Sequence, residues 1–470
     1  MTYRLIGGAG MAGTVASALP VRHVRHDSGA LSTPTVPPRR LPGIGDLLKL
    51  RSNLLNAIQY AALDGSELSY FAVGPKRMVF VNRSTAADIV LSDIHTFGKP
   101  NAENPLRLVL GDGLISSPYH DQWLRRRRAL QPMYGRPSLA DMRQKMAEVT
   151  DEHIGRWESR DRTELRVHEE MLSFALDIVA RCMFSRPGDT VSDVLTPGTI
   201  SFLLEFVERR LRMPLSLPVG VPSRRNRNFT ATMRGLDDLV HRLIRERRTT
   251  GEHHGDLLDM LLAAKAGDSV EPLTDTEVRD EMLTTFVAAY ETTASALTWI
   301  LYLLACYPDV QQRVREEVRR TPLSTSGKQR GSTLLERVIN EGMRIFPPSP
   351  TIPRQVTKDV SIGASKIPAG SFVMLNVAAI HRDPTVWERP DEFLPERFMN
   401  GIPGKGRFLP FGAGAHMCIG KGFAMMEMSM LLAAILDKFE ISQRDSTGPA
   451  PRALLTLRPR EGFGVTLTRM

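Results

Sequence analysis

Only three cysteines, Cys182, Cys306 and Cys418, occur in 470 residues. They lie too far apart in sequence for a zinc knuckle or a disulfide framework, and this sparse usage fits a reducing, cytoplasmic setting. Long hydrophobic runs are missing as well. The most apolar early stretch, Leu5 to Pro20, is short and broken by four glycines, so no integral membrane span is expected. Within it, Ala16-Ser17-Ala18 bears only a faint likeness to a signal-peptidase site. Aromatic residues make up 6% of the chain and are not interleaved with any Arg/Lys block, so no nucleic acid is expected as a partner. The net charge of +9 is modest for this length and points instead to an acidic protein partner. With 42% hydrophobic and 24% charged residues, the chain is neither disordered nor fibrous. Length alone suggests two or three domains around a large core.

What is present centres on Phe411 to Gly420, F-G-A-G-A-H-M-C-I-G. Gly412 and Gly414 ahead of Cys418, and Gly420 behind it, strip side chains from the backbone. A flat ligand can then lie close and main-chain N–H groups can point at the sulfur. Residues 420–438 read as a helix with Met, Leu and Ala on one side. Its positive end near Cys418 would lower the thiol pKa and favour the anion. On the residues alone, such a thiolate is a metal ligand or a nucleophile.

The pattern F-x-x-G-x-x-x-C-x-G resembles the haem-binding loop of the cytochrome P450 family. Four further segments follow in that family's order. Trp123 and Arg127 share a helical face at i and i+4; in the family, W-x-x-x-R serves a haem propionate. Thr274-x-x-Glu277 is a capping box that opens the longest helix, which Pro308 ends. About thirty residues at about 1.5 Å each would cross the whole molecule. Within that helix, Ala288 to Thr293, A-A-Y-E-T-T, resembles the oxygen-activation motif, with Glu291 and Thr292 in the acid and alcohol positions. Ala289 stands where the family usually has glycine, and Tyr290 is bulky for its position, which puts the proton route in question. Glu341 and Arg344, at i and i+3, suit an ion pair, and P-E-R-F supplies Arg397. The family uses this trio to lock the core beneath the haem.

The resemblance implies a mainly α fold, a large helical bundle with a long central helix and small β-sheets, of the soluble bacterial type. Residues 1–33 are expected to be a flexible N-terminal extension. Residues 34–470, opening on the proline-rich P-T-V-P-P-R-R-L-P-G, would form a single haem-thiolate monooxygenase domain. The cofactor would be haem b, iron protoporphyrin IX, with Cys418 as the iron ligand. Trp123, Arg127, Ala288, Arg354, Phe411, Gly412, His416 and Gly420 would also contact it, while His381 would be structural. Thr292 and Glu291 would relay protons. The implied partners are dioxygen, a ferredoxin-type electron donor and a hydrophobic small molecule: terpenoid, polyketide, steroid or fatty acid, as in secondary metabolism. The protein would act as a monomer. The pocket would draw on residues 98–110, 201–225, 284–292, 349–353 and 453–458, with the proline-broken Met213 to Pro222 as its roof or as a surface linker.

Three other readings remain at this point. Ala289 motivates a peroxide-using or isomerising haem-thiolate enzyme. A non-catalytic haem-binding protein would keep the same loop. A cysteine hydrolase would use Cys418 and His416.

Overall fold

The computed structural model describes residues 54–63, 65–73, 76–100, 104–185, 196–212, 216–264, 272–320, 332–444, 448–453, 455–459 and 463–470. The expected extension over residues 1–33, the proline-rich leader and residues 213–215 of the expected roof lie outside these residues. Helices dominate, and the strands form one five-stranded sheet, one three-stranded sheet and two two-stranded pairs.

The long helix spans Asp275–Cys306, 32 residues, and begins as its sequence signal requires. The Thr274 hydroxyl accepts from the Glu277 N–H, and the Glu277 carboxylate accepts from the Thr274 N–H, which satisfies two otherwise orphan donors. From Asp280 to Leu304 every side chain is buried except Val287, Ala288, Ala289 and Thr292. A helix apolar nearly all round must be wrapped by others. Here helix Val167–Phe184 provides the most extensive packing, and helix Leu334–Ile345 closes another side. At that second contact Gly342 is required: a Cβ there would meet Ile300 Cγ1 at 2.6 Å.

A hairpin joins Leu68–Val73 to Lys76–Val81, with Lys76 and Arg77 paired with Val73 and Ala72. Lys76–Val81 runs parallel to Phe372–Asn376, which pairs antiparallel with Thr351–Val356. The latter strand carries Arg354 toward the interior. Helix His120–Leu130 continues as a 3₁₀ turn, Gln131–Tyr134, where Pro132 has no N–H to extend the helix.

Beneath the long helix lies a buried ionic knot. Arg344 donates to Glu341 through Nε (2.7 Å) and Nη2 (2.8 Å), and both side chains are fully buried. Its remaining donors reach the carbonyls of His381 (2.8 Å), Pro390 (2.7 Å) and Glu392 (3.1 Å). Glu341 also accepts from Arg397 Nε at 3.2 Å and Leu394 N at 2.9 Å. His381 is structural: its Nδ1 donates to Arg344 O (3.2 Å), and its Nε2 accepts from Leu409 N (2.7 Å). Burial, helped by nearby Arg344, pushes His381 down to about 3, so the ring stays neutral. Replacing Glu341 by Gln strands Arg344 in the interior and should lower stability by about 3–5 kcal/mol in denaturant unfolding. A loss below about 1 kcal/mol would show that the knot is not the anchor of this region.

Candidate active site

The cysteine loop is set by backbone geometry. Cys418 N donates to Phe411 O at 2.8 Å, which closes the loop on itself. Gly414 sits at φ +69°, and a Cβ there would lie 2.7 Å from Leu91 O, so both conformation and space demand glycine. Gly420 caps helix Lys421–Lys438. Unlike Cys182, which is buried in the core, Cys418 keeps accessible surface.

The electrostatics of Cys418 differ from the sequence expectation. The Gly420 N–H, Arg127 and Lys421 all favour the anion, yet desolvation by the groups packed around the loop outweighs them, even with part of the side chain accessible, and pushes the thiol pKa up. The helix end alone does not make a thiolate here. A directly bound metal ion would, because a coordinating thiol is deprotonated outright.

Beside the loop lies a cradle of cations and rings. Trp123 is buried with its ring 4.2 Å from that of His416, and His120 and His95 continue the stack at 5.7 and 5.1 Å. Arg127 Nη1 donates to Met417 O at 2.7 Å, and its guanidinium lies over the Trp123 ring. Lys99 donates to Leu114 O and also lies over Trp123. Arg354 is buried and, among the described residues, bonds only its neighbour's carbonyl, Pro353 O, at 2.8 Å. The hydrogen bonds of Lys99, Arg127 and Arg354 thus go to carbonyls rather than to carboxylates. Burial lowers Lys99 to about 7 and Arg354 to about 10. Burial and the surrounding cations lower His416 to about 3, leaving a neutral ring whose Nδ1 is buried without a partner. An anion with two carboxylates suits this cradle: it would stabilise the desolvated cations and accept from His416. The propionates of a haem fit that description.

The four arginines of helix His120–Leu130 divide as helical geometry requires. Arg127 faces the cradle, while Arg126 is buried against Glu281 (3.3 Å) and the Asp112 carbonyl. Arg125 pairs with Glu277, and Arg128 is exposed. Lys99 was not singled out from the sequence, because a lone lysine after a two-residue strand carries no pattern.

The long helix carries a partly open patch. Val287, Ala288, Ala289 and Thr292 interrupt its burial. Tyr134 touches both the helix and the loop: its hydroxyl hydrogen-bonds Thr285, and its ring lies 3.6 Å from where a Cβ on Gly420 would sit. Thr292 Oγ1 donates to Ala288 O at 2.7 Å, which leaves its lone pairs free to accept. Glu291 is buried and turns elsewhere: its Oε1 accepts from Thr456 Oγ1 at 2.6 Å and lies 3.6 Å from Arg458 Nη1. The acid and alcohol are sequence neighbours whose polar ends take different partners. Tyr290 is buried in the core beside Phe286, 6.3 Å away ring to ring, so its bulk does not crowd the patch. No hydrogen bond joins His416 to Cys418 among the described residues, which removes the dyad a hydrolase needs.

The cysteine loop, the cation cradle and the helix patch of small residues suit a haem whose carboxylates meet the cradle. The cytochrome P450 family model matches residues 34–466, and the chain belongs to that family. It is a cytochrome P450 monooxygenase, and the family implies a haem-iron cofactor. It is 30% identical over 86% of its length to cyclooctat-9-en-7-ol 5-monooxygenase of Streptomyces melanosporofaciens, covering 88% of that protein. It is 28% identical to pentalenene oxygenase of Streptomyces avermitilis, with 89% and 94% of the two chains covered. The solved cytochrome P450DA heme domain superposes with a TM-score of 0.83 at 26% identity, over 93% of this chain and 98% of that one. No helix among the described residues is long and apolar enough to cross a membrane.

Replacing Lys99 by Met should speed haem loss to an apo-globin acceptor by about tenfold or more, the worth of one charge-assisted hydrogen bond. Exposed Arg128→Gln should leave that rate unchanged. Equal rates in the Lys99 variant and the parent would remove Lys99 from the cradle.

Proposed function

We propose that this monooxygenase hydroxylates or epoxidises a terpenoid-type hydrophobic small molecule. The carrying observation is the pairing of the accessible Cys418 and its cation cradle with the only partly open patch on the buried stretch of the long helix. Relatives named for cyclooctat-9-en-7-ol and for pentalenene favour a terpenoid over a polyketide, steroid or fatty acid.

Residues 34–470 act as one domain, a reading supported by the largest hydrophobic cluster, which draws on residues from Leu55 to Leu467. The cofactor is haem b. Cys418 holds its iron, and Lys99, Arg127, Arg354, Trp123 and His416 hold its carboxylates. Phe411, Gly412 and Gly420 lie along the cysteine side, and Ala288 lies on the facing side. When bound, the haem supplies the activation of dioxygen; the chain orients the substrate, excludes water and moves protons. Thr292, with its lone pairs free, accepts a hydrogen bond at the patch. Glu291 supplies protons to it through water, because no direct bond links the two. The Ala289 methyl narrows the patch beside Thr292 and sets how closely a small ligand approaches that hydroxyl.

Electrons come from a ferredoxin-type donor, an acidic partner suited to exposed Arg128 and to Lys421 beside the cysteine loop. The protein works as a monomer in the cytoplasm, where its free thiols stay reduced. Cys418→Ser should abolish the thiolate-type absorption of the reduced carbon-monoxide complex, and persistence of that band would overturn the ligand assignment. A screen of apolar compounds for the spin-state shift on binding identifies the substrate. With that substrate, Thr292→Ala should divert most oxygen consumption away from product. Unchanged coupling in that variant would mean that protons bypass Thr292, and product formation from peroxide alone would favour the peroxide-using alternative.

A further inference from the structure

The guanidinium next to Glu291 is shared. Arg458 lies on the short strand Leu457–Pro459, paired antiparallel with Pro451–Ala453. The strand is anchored at the residue before it: Leu457 N donates to Pro348 O at 2.8 Å, and Leu457 O accepts from Trp299 Nε1 at 2.7 Å. From this anchored position Arg458 Nη2 contacts Glu205 Oε1 at 3.2 Å, while Nη1 stands 3.6 Å from Glu291 Oε1. Glu205 comes from helix Pro197–Arg212, so one arginine holds carboxylates from two helices.

The two carboxylates are not equivalent. Glu205 is 42% exposed and keeps much of its hydration, whereas Glu291 is 3% exposed. Arg458 cannot neutralise both fully, and its closer contact is with Glu205. The Thr456 hydroxyl occupies Oε1 of Glu291, and Oε2 is buried with no partner. Desolvation raises the Glu291 pKa, Thr456 and Arg458 lower it, and like charge on Glu205 raises it again. The other groups around this cluster are Tyr290, whose hydroxyl is buried without a partner, His168, kept neutral near 4 by burial and by Arg458, Arg452, 3.9 Å from Glu205, and Arg225, which donates to Glu205 O at 3.3 Å and is attracted by its carboxylate.

We propose that Arg458 is a positioning residue that sets whether Glu291 holds a proton, and that Glu205 on helix Pro197–Arg212 competes with Glu291 for it. The proposal rests on the reading of Glu291 as a proton relay. It ties the proton-delivery acid of the long helix to a neighbouring helix through one charge: contact of Glu205 with Arg458 loads a proton on Glu291, and loss of that contact releases it. Protonation is at the unpartnered Oε2, so the proton is held where no protein acceptor competes for it.

The sign of two substitutions tests this. In haem-loaded protein, the infrared carboxylic-acid band of Glu291 is isolated as the difference between the parent and Glu291→Gln, and is followed with pH. Glu205→Gln leaves Arg458 wholly to Glu291 and should move the band's midpoint down. Arg458→Gln should move it up, each by about one pH unit or more, and Arg458→Lys should return it toward the parent value. Coincident midpoints, or both Gln variants moving in the same direction, would overturn the proposal. Coupling of oxygen use to product is measured on the same variants with a substrate from the spin-state screen. Opposite infrared shifts with unchanged coupling would uphold the hold of Arg458 on Glu291 and sink the relay reading. Absent infrared shifts would sink the proposal and leave that reading standing.

Discussion

The pair that the site depends on is Glu341 with Arg344, buried and remote from any chemistry. Every guanidinium donor of Arg344 is used, and three go to carbonyls of the segment from His381 to Glu392. That segment has little regular structure of its own, so the arginine organises it. His381 then passes the constraint on, because its ring takes the N–H of Leu409, two residues before the cysteine loop begins. A charge pair that contributes little net stability by itself becomes essential once its partners are backbone groups with nowhere else to bond.

Above that knot, the long helix is wrapped on nearly all sides, which turns its four partly open residues into the wall of a site. Burial elsewhere between Asp280 and Leu304 is continuous, so small changes at those positions are felt directly by whatever lies against them. The cysteine loop is equally constrained, by Gly414 against Leu91 and by the bond from Cys418 N to Phe411 O. Tyr134 touches both, through its hydrogen bond to Thr285 and its ring beside Gly420.

Much of this was legible from the chain. The capping box at Thr274, the glycines around Cys418 and the spacings Trp123 to Arg127 and Glu341 to Arg344 are local signals, and each forms as read. Long-range, single-residue features were not legible. Lys99 and Arg458 are isolated cations whose importance comes from which distant elements surround them, and no spacing encodes that. At Cys418 the helix-start contribution is present as read, through the Gly420 N–H, whereas the opposing desolvation needs the packed structure. The same limit applies to Glu291, whose neighbour in sequence is Thr292 but whose partners in space are Thr456 and Arg458.

The patch of Val287, Ala288, Ala289 and Thr292 bears on how such an enzyme changes over evolutionary time. These side chains are small and partly open on an otherwise buried helix, so exchanging one for another reshapes the wall without hollowing the core. The knot at Glu341 and the glycine at 414 leave no comparable freedom. Substitution along that one short stretch can therefore reshape the wall while the knot and the cysteine loop keep their form.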